Sequence, residues 1–445
     1  MASRLSHIMP AILFGLALLT ATPAHAEPTV CPASTWRLSD GAILDLGAMD
    51  EGTRRWRKFD GTSGKLTPST SGAWTSTLGW TDRPDGKAVS LANCSEGRIR
   101  FDGLEGKRID LDTVETTFKV KDIELAGRLV LPKGGGKVPI VVLLHGSEDW
   151  SALDFNQLQR LLPAEGVGAF VYDKHGTGAS GGVYTQNFDV LASEAVAAMK
   201  EARRLAGPRA GRVGYYGPSQ GGWVAPLAAN RASVDFVIVG FGLAISPLEE
   251  NRQEIRLEMT LKGHGPEEIA KALEVAKAGE TIVTSNLTRG FEDFDRVREK
   301  YRSEPWYKDL RGNYTWLMLP LDKAGFLAAP ERFVMGTPWR YDPMPTLRAS
   351  KTPQLWVLGE DDLQAPSADT GQRILKLGRQ HKPFTLAMFP KAGHGILEYE
   401  LAPNRQQISV RNPDGFFAMI RDYARDGVLK GIYGPAKITP PAASR

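Results

Sequence analysis

The sequence predicts an α/β protein: a doubly wound, mostly parallel sheet with an inserted helical cap, preceded by a small all-β module. Three observations carry this. After Thr113, near-continuous apolar runs of strand length alternate with stretches of helical periodicity, the pattern of a parallel sheet covered by helices on both faces. Before Asp112 the chain is written in short β-like runs broken by Gly, Asp, Ser and Pro. Between the run ending near Val239 and the one opening at Gln354 lie about 110 residues with helical periodicity, where a connection usually needs roughly 2–6.

Taken in chain order, the first element is a targeting segment. Arg4 gives a basic start, Ala11 to Ala21 an apolar stretch, and Ala24-His25-Ala26 an Ala-x-Ala cleavage site. Residues 1–26 are therefore expected to be a signal peptide. The mature chain would begin near Glu27 and reside outside the cytoplasm, in the periplasm or the medium. No run approaches the roughly 20 apolar residues of a membrane span.

Residues 27–112 form the expected β module, with runs at Ala42 to Leu46, Arg54 to Phe59, Lys87 to Leu91 and Arg98 to Phe101. Both cysteines, Cys31 and Cys94, fall in it. In an oxidising compartment they are expected to form one disulfide. It would close a loop of about 60 residues and stabilise by roughly 4 kcal/mol in the chain-entropy account.

Residues 113–445 are read as the α/β domain. A hairpin turns at Lys121-Asp122 between Thr116 to Val120 and Ile123 to Leu131. Strands follow at Val138 to Leu144, Gly168 to Tyr172, Arg212 to Tyr216, Val234 to Val239, Gln354 to Leu358 and Phe384 to Phe389. Helices alternate with them: Phe155 to Leu162, Val190 to Leu205, Gly221 to Asn230, Ser367 to Leu377 and Gly415 to Ala424. The cap, 245–345, reads as helices over Leu248 to Leu261, Pro266 to Ala278 and Thr281 to Tyr301. Its aromatics Trp306, Tyr307, Trp316, Trp339 and Tyr341 fit either a pocket lining or the cap's own core, and the core is favoured.

Composition is that of an ordinary globular chain, 42% hydrophobic and 24% charged, with a net charge of +4 and no basic block. Nothing in it suggests a nucleic-acid partner. No histidine pair has ligand spacing, so no metal or other cofactor is implied.

The chemistry concentrates at Gly217-Pro218-Ser219-Gln220-Gly221-Gly222, where a strand breaks through Gly-x-Ser-x-Gly into a helical pattern. A serine on so tight a turn needs small neighbours two residues away on each side, and Gly217 and Gly221 meet that need. A serine hydroxyl needs a base. Of the histidines past the leader, His145 and His175 sit in turns, His264 in the cap and His381 in a charged stretch. His394 stands apart. It lies in the Gly-flanked loop at the carboxyl end of Phe384 to Phe389, where open α/β sheets hold their ligands. An acid that orients it is sought between the serine and the histidine. The strand Leu355 to Leu358 runs into Gly359-Glu360-Asp361-Asp362-Leu363-Gln364-Ala365-Pro366, and Asp362 is favoured, Asp361 second and Glu360 third. Oxyanion stabilisation needs two backbone donors. Gln220, after the serine, is expected to supply one, and Ser147 in His145-Gly146-Ser147 the other.

Together these runs, with Tyr172-Asp173-Lys174-His175-Gly176-Thr177-Gly178-Ala179-Ser180 and Gly393-His394-Gly395, resemble the α/β-hydrolase superfamily over about Thr113 to Tyr433. The resemblance is to secreted bacterial serine hydrolases near the dienelactone-hydrolase and prolyl-oligopeptidase branches. It implies an aspartate three residues after the glycine of Gly-x-x-Asp, which supports Asp362. The chain departs from the family at His175, which stands where arginine is usual, and at Pro218. The leading expectation is a carboxylic-ester hydrolase working through an acyl-enzyme on a small ester. The alternatives are a serine peptidase acting on a short peptide, or a catalytically dead binding protein on the same scaffold.

Overall fold

The computed structural model describes residues 31–49, 52–69 and 73–443. The expected signal peptide, 1–26, lies outside them. Among the described residues no helix is long and apolar enough to cross a membrane.

The β-like runs before Asp112 close into an eight-stranded antiparallel barrel, each strand pairing with the next and Ser34–Leu38 pairing back to Leu104–Arg108. Alternation puts Trp36, Leu44, Trp56, Leu66 and Phe101 inside, all at 1% exposure or less. Trp56 meets Phe101 edge-to-face at 5.0 Å. Gly64 makes room for it, since a β-carbon there would stand 2.5 Å from the Trp56 ring nitrogen. The expected Cys31–Cys94 bond is not formed in the structure, in which both side chains are buried.

Nine strands build the main sheet, in the spatial order Lys437–Thr439, Phe384–Phe389, Gln354–Gly359, Val237–Gly240, Ala210–Pro218, Val138–Leu143, Gly168–Tyr172, Ile123–Pro132, Leu111–Val120. The six central strands are parallel, and the hairpin and the last strand add antiparallel edges. Burial on both faces explains why these strands read as unbroken apolar runs. Helices Phe188–Ala206, Gly221–Arg231 and Ser367–Arg379 pack in one apolar layer with Phe170, Tyr215 and Trp356. Leu158–Ala164 and Phe416–Asp426 pack in the opposite layer with Val141, Val171 and Phe389. The chain therefore has the doubly wound fold its alternation predicts.

Between Gly240 and Gln354 the expected insertion is helical and carries its own core of Ile255, Val275, Ile282, Phe294 and Met318. Its helices run differently from expectation. Pro266–Thr284 is one helix, unbroken at Gly279-Glu280, and the next begins only at Phe291. Gly279 is there for packing, with Met318 only 3.1 Å from where its β-carbon would be. Glu280 is buried against Arg252 and Lys277. The break falls instead at Asn286 and Leu287, both at positive φ, and at Gly290. Trp306 is buried in the cap core, Tyr307 and Trp339 pack on it, and Tyr341 packs on the main core. Trp316 is exposed. Trp306, Tyr307 and Trp339 thus pack the cap's own core as favoured, whereas Trp316 and Tyr341 do not.

The expected helix from Phe155 is two short ones, Ala152–Phe155 and Leu158–Ala164, split at Asn156-Gln157, where the Asn156 side chain accepts from the Leu158 amide at 3.0 Å. A small sheet of Ala392–Gly393, Leu397–Leu401 and Gln407–Arg411 has no counterpart among the expected elements. It ties the barrel to the rest of the chain. Thr62 bridges to Arg411, and Arg411 donates to the Asp60 carbonyl at 2.7 Å. On another side Arg160 grips the fully buried Asp45 carboxylate through two bonds, at 2.6 and 3.0 Å.

Candidate active site

Strand Ala210–Pro218 ends at Ser219, whose φ of +49° lies in the left-handed region, and helix Gly221–Arg231 starts two residues later. Tertiary bonds hold this strained residue in place. The Ser219 amide donates to the Gly240 carbonyl at 2.8 Å, and its carbonyl accepts from the Gly222 amide at 2.8 Å. The glycines are sterically required. A β-carbon on Gly217 would lie 2.4 Å from the Gly221 carbonyl oxygen, and one on Gly222 2.8 Å from the Gly242 α-carbon. Pro218 closes the strand without conflict. Gln220, buried, caps the helix. Amides at this position have no partner within the helix, and the helix dipole adds positive potential there.

His394 lies past strand Phe384–Phe389, on the loop between Ala392–Gly393 and Leu397–Leu401. Its Nδ1 faces Asp362, 3.0 and 3.2 Å from the two carboxylate oxygens. A carboxylate only accepts, so Nδ1 carries the hydrogen and Nε2 is left as the basic nitrogen. Asp362 is 1% exposed and also accepts from the amides of Gln364 and Ala365 at 3.0 and 2.8 Å. Of the three acids in this loop, only Asp362 meets the imidazole. Asp361 takes the Tyr399 hydroxyl at 2.8 Å, and Glu360 is exposed.

Phe241 connects the two halves. Its ring stands edge-on to His394 at 4.9 Å, and the preceding residue, Gly240, is the one that holds the Ser219 amide. On the other side of the serine is the loop after strand Val138–Leu143. A β-carbon on Gly146, the residue before Ser147, would stand 3.5 Å from the Ser219 β-carbon. The barrel reaches this region through Asn412. Its amide donates to the Gly61 carbonyl at 3.0 Å, and its side chain donates to the carbonyls of Gly395 and Ile396 at 3.1 and 2.8 Å.

Sequence reasoning missed two buried charge groups. Beneath the loop that carries Gly146, Lys174 is 0% exposed and faces Glu148 and Glu194. Burial pushes its ammonium down to about 8, against the pull of Glu148, Glu194 and Asp149. Burial also lifts Glu194 to about 7. Burial lifts Glu148 too, but the hydrogen bond from His145 and the Lys174 ammonium outweigh that and hold it below the ordinary value. His175, in the family's arginine place, meets Glu194 at 3.2 Å through Nδ1. The mate of this contact is 19 residues away on helix Phe188–Ala206, and no local pattern announces it.

The second group is Glu250 and Glu254, one turn apart on cap helix Pro247–Leu261, both buried and both within electrostatic reach of Asp362. Burial raises them to about 8 and about 9. Each therefore stays protonated at pH 7 and adds no charge beside Asp362. Between the ordinary carboxyl range and pH 8 to 9 the folded chain holds protons that the unfolded chain has released, so stability falls as pH rises through that window. Glu254→Gln, which keeps the shape and cannot ionise, is expected to flatten that fall and raise Tm at pH 8 by about 2 °C or more. Calorimetry from pH 5 to pH 9 checks this. An unchanged slope in Glu254→Gln contradicts it.

A family model described as alpha/beta hydrolase family matches residues 141–404, more than half of the chain. No curated protein sequence matches it. Among solved structures, an acylaminoacyl peptidase of Pyrococcus horikoshii is similar at 13% identity, covering 88% of this chain and 63% of that one, TM-score 0.44. An esterase of Pyrococcus furiosus is similar at 16%, covering 64% and 84%, TM-score 0.40. A proline iminopeptidase of Mycobacterium smegmatis is similar at 17%, covering 70% and 97%, TM-score 0.41. With the matched segment running from strand Val138–Leu143 past His394, the chain belongs to the alpha/beta hydrolase family.

Proposed function

We propose that the protein is a serine hydrolase that cleaves a carboxylic ester through an acyl-enzyme. The observation that carries this is the buried Asp362 carboxylate on His394 Nδ1, in a site whose serine sits at positive φ at the head of a helix. In this reading Ser219 Oγ attacks the ester carbonyl while His394 Nε2 takes its proton. Asp362 holds the tautomer and stabilises the imidazolium. The amides of Ser147 and Gln220 bind the oxyanion. His394 then returns the proton to the departing alkoxide, and water reverses the sequence to free the acid.

The reading is tested by p-nitrophenyl esters and aminoacyl-nitroanilides run side by side. Turnover of esters with no measurable anilide cleavage supports an esterase. Anilide cleavage at comparable kcat/KM identifies a peptidase on the same machinery, and no turnover of either class contradicts the proposal.

We also propose that residues 1–26 are removed on export and that the exported chain pairs Cys31 with Cys94. Both side chains are buried in the structure, and a disulfide suits an oxidising compartment. Intact mass without reductant is expected to be two hydrogens below that of the reduced chain. Two titratable thiols in unfolded, unreduced protein from an exporting host contradict the pairing.

A further inference from the structure

We propose that Lys174 and Tyr184 are positioning residues that hold the oxyanion loop from behind, each through one backbone carbonyl. Lys174 Nζ donates to the Gly146 carbonyl at 2.7 Å, and the Tyr184 hydroxyl donates to the Ser147 carbonyl. The inference rests on the reading of the Ser147 amide as an oxyanion donor.

In a trans peptide the C=O and N–H of one unit point in opposite directions. The carbonyl that Lys174 takes belongs to the same peptide unit as the Ser147 N–H. A donor on that carbonyl therefore aims the N–H away from the lysine and fixes its direction. Because the donor is an ammonium, it also draws electron density through the unit and makes the N–H a stronger donor to a developing negative charge. Tyr184 fixes the following unit, so two successive peptides are held. A β-carbon on Gly146 would stand 2.6 Å from Glu148 Oε2, so a larger residue there would have to displace that carboxylate.

Both clamping residues come from one braced turn. Asp173 accepts from the Ser151 hydroxyl at 2.9 Å, the Leu153 amide at 3.1 Å and the Ala179 amide at 2.9 Å. Gly176 donates to the Gly181 carbonyl at 2.9 Å, and the Ser180 hydroxyl to the Asp173 carbonyl at 2.6 Å. The ammonium lies 5.1 Å from the centre of the Tyr184 ring. Burying a lysine completely costs stability that an apolar side chain of the same length avoids. The chain accepts that cost where, among the described residues, the backbone group the ammonium holds is the Gly146 carbonyl.

The test is steady-state kinetics on a p-nitrophenyl ester that the wild-type enzyme turns over, with Lys174→Met, Lys174→Arg and Tyr184→Phe. Lys174→Met, folded by circular dichroism, is expected to lose about 10²-fold in kcat with KM changed less than about threefold, the loss expected of a weakened oxyanion donor. An ester-derived trifluoromethyl ketone, which places an oxyanion in the hole, should bind more weakly by the same factor. Tyr184→Phe is expected to lose about threefold to tenfold in kcat.

The wild-type kcat should fall as Lys174 deprotonates near pH 8, and Lys174→Arg should lose that fall. The charged and titratable groups facing the lysine are Glu148 and Asp149 from the loop after Val138–Leu143, Glu194 from helix Phe188–Ala206, and Tyr184 from its own turn. A folded Lys174→Met with kcat within threefold of wild type overturns the inference, as does a loss confined to KM. If Lys174→Met does not fold, unchanged kcat in Tyr184→Phe with a flat wild-type profile from pH 7 to 10 overturns it. Ser147→Pro, which lacks the N–H, separates the two levels. Low kcat in Ser147→Pro beside normal Lys174→Met refutes the clamp alone, and normal kcat in Ser147→Pro refutes the donor reading beneath it.

Discussion

Ser219→Ala is expected to lower kcat on a p-nitrophenyl ester by roughly 10⁵–10⁶-fold, leaving only what the oxyanion donors and substrate binding supply. The size follows from the site. Ser219 is held at φ +49° by bonds to Gly240 and Gly222, on a turn whose glycines admit no side chain. Strain of this kind persists only where the surroundings enforce it, and here those two backbone bonds do so. Alanine removes the attacking oxygen and leaves every one of those backbone bonds in place. KM and Tm should therefore change little. A residual rate within tenfold of wild type, measured on protein free of wild-type carry-over, would show that another group attacks.

The second large effect separates three neighbouring acids. Asp362→Asn preserves shape but offers an amide where the imidazole needs an acceptor, which favours the wrong tautomer. A loss of about 10⁴-fold in kcat is expected by analogy with serine proteases. Asp361→Asn and Glu360→Gln are expected to stay within about tenfold, since Asp361 serves the Tyr399 hydroxyl and Glu360 faces solvent. A crippled Asp361→Asn beside an active Asp362→Asn would reverse the assignment of the acid.

The elbow at Ser219 and the pairing of Asp362 with His394 were legible because each sits at a strand end that announces itself. At Ser219 an apolar run stops and glycines flank one hydroxyl; at the acid loop an apolar run stops at Gly359 and three acids follow, of which Asp362 meets His394. Strands Gly168–Tyr172 and Phe384–Phe389 fall where their apolar runs placed them, for the same reason. What was illegible depends on partners far along the chain. Lys174 reads as one charge in a turn until Gly146, 28 residues earlier, is seen to take its ammonium. Nothing in the local pattern of Glu250 and Glu254 announces that the fold buries them within reach of Asp362. The role of the β module was unreadable, because its bonds to the His394 loop run through Gly61 and Asn412, more than three hundred residues apart in number. The expected break between Ala278 and Thr281 is absent for a related reason: Gly279 packs against Met318 and Glu280 pairs with Arg252, partners far along the chain.

The central claim is that Ser219 is the covalent nucleophile, and the direct measurement is reaction of the purified protein with a fluorophosphonate followed by peptide mass mapping. The account predicts one phosphonyl group per chain, on the peptide bearing Ser219, with labelling abolished in Ser219→Ala and slowed in Asp362→Asn. Labelling that persists in Ser219→Ala, or that falls on a different residue in the wild-type chain, would contradict it.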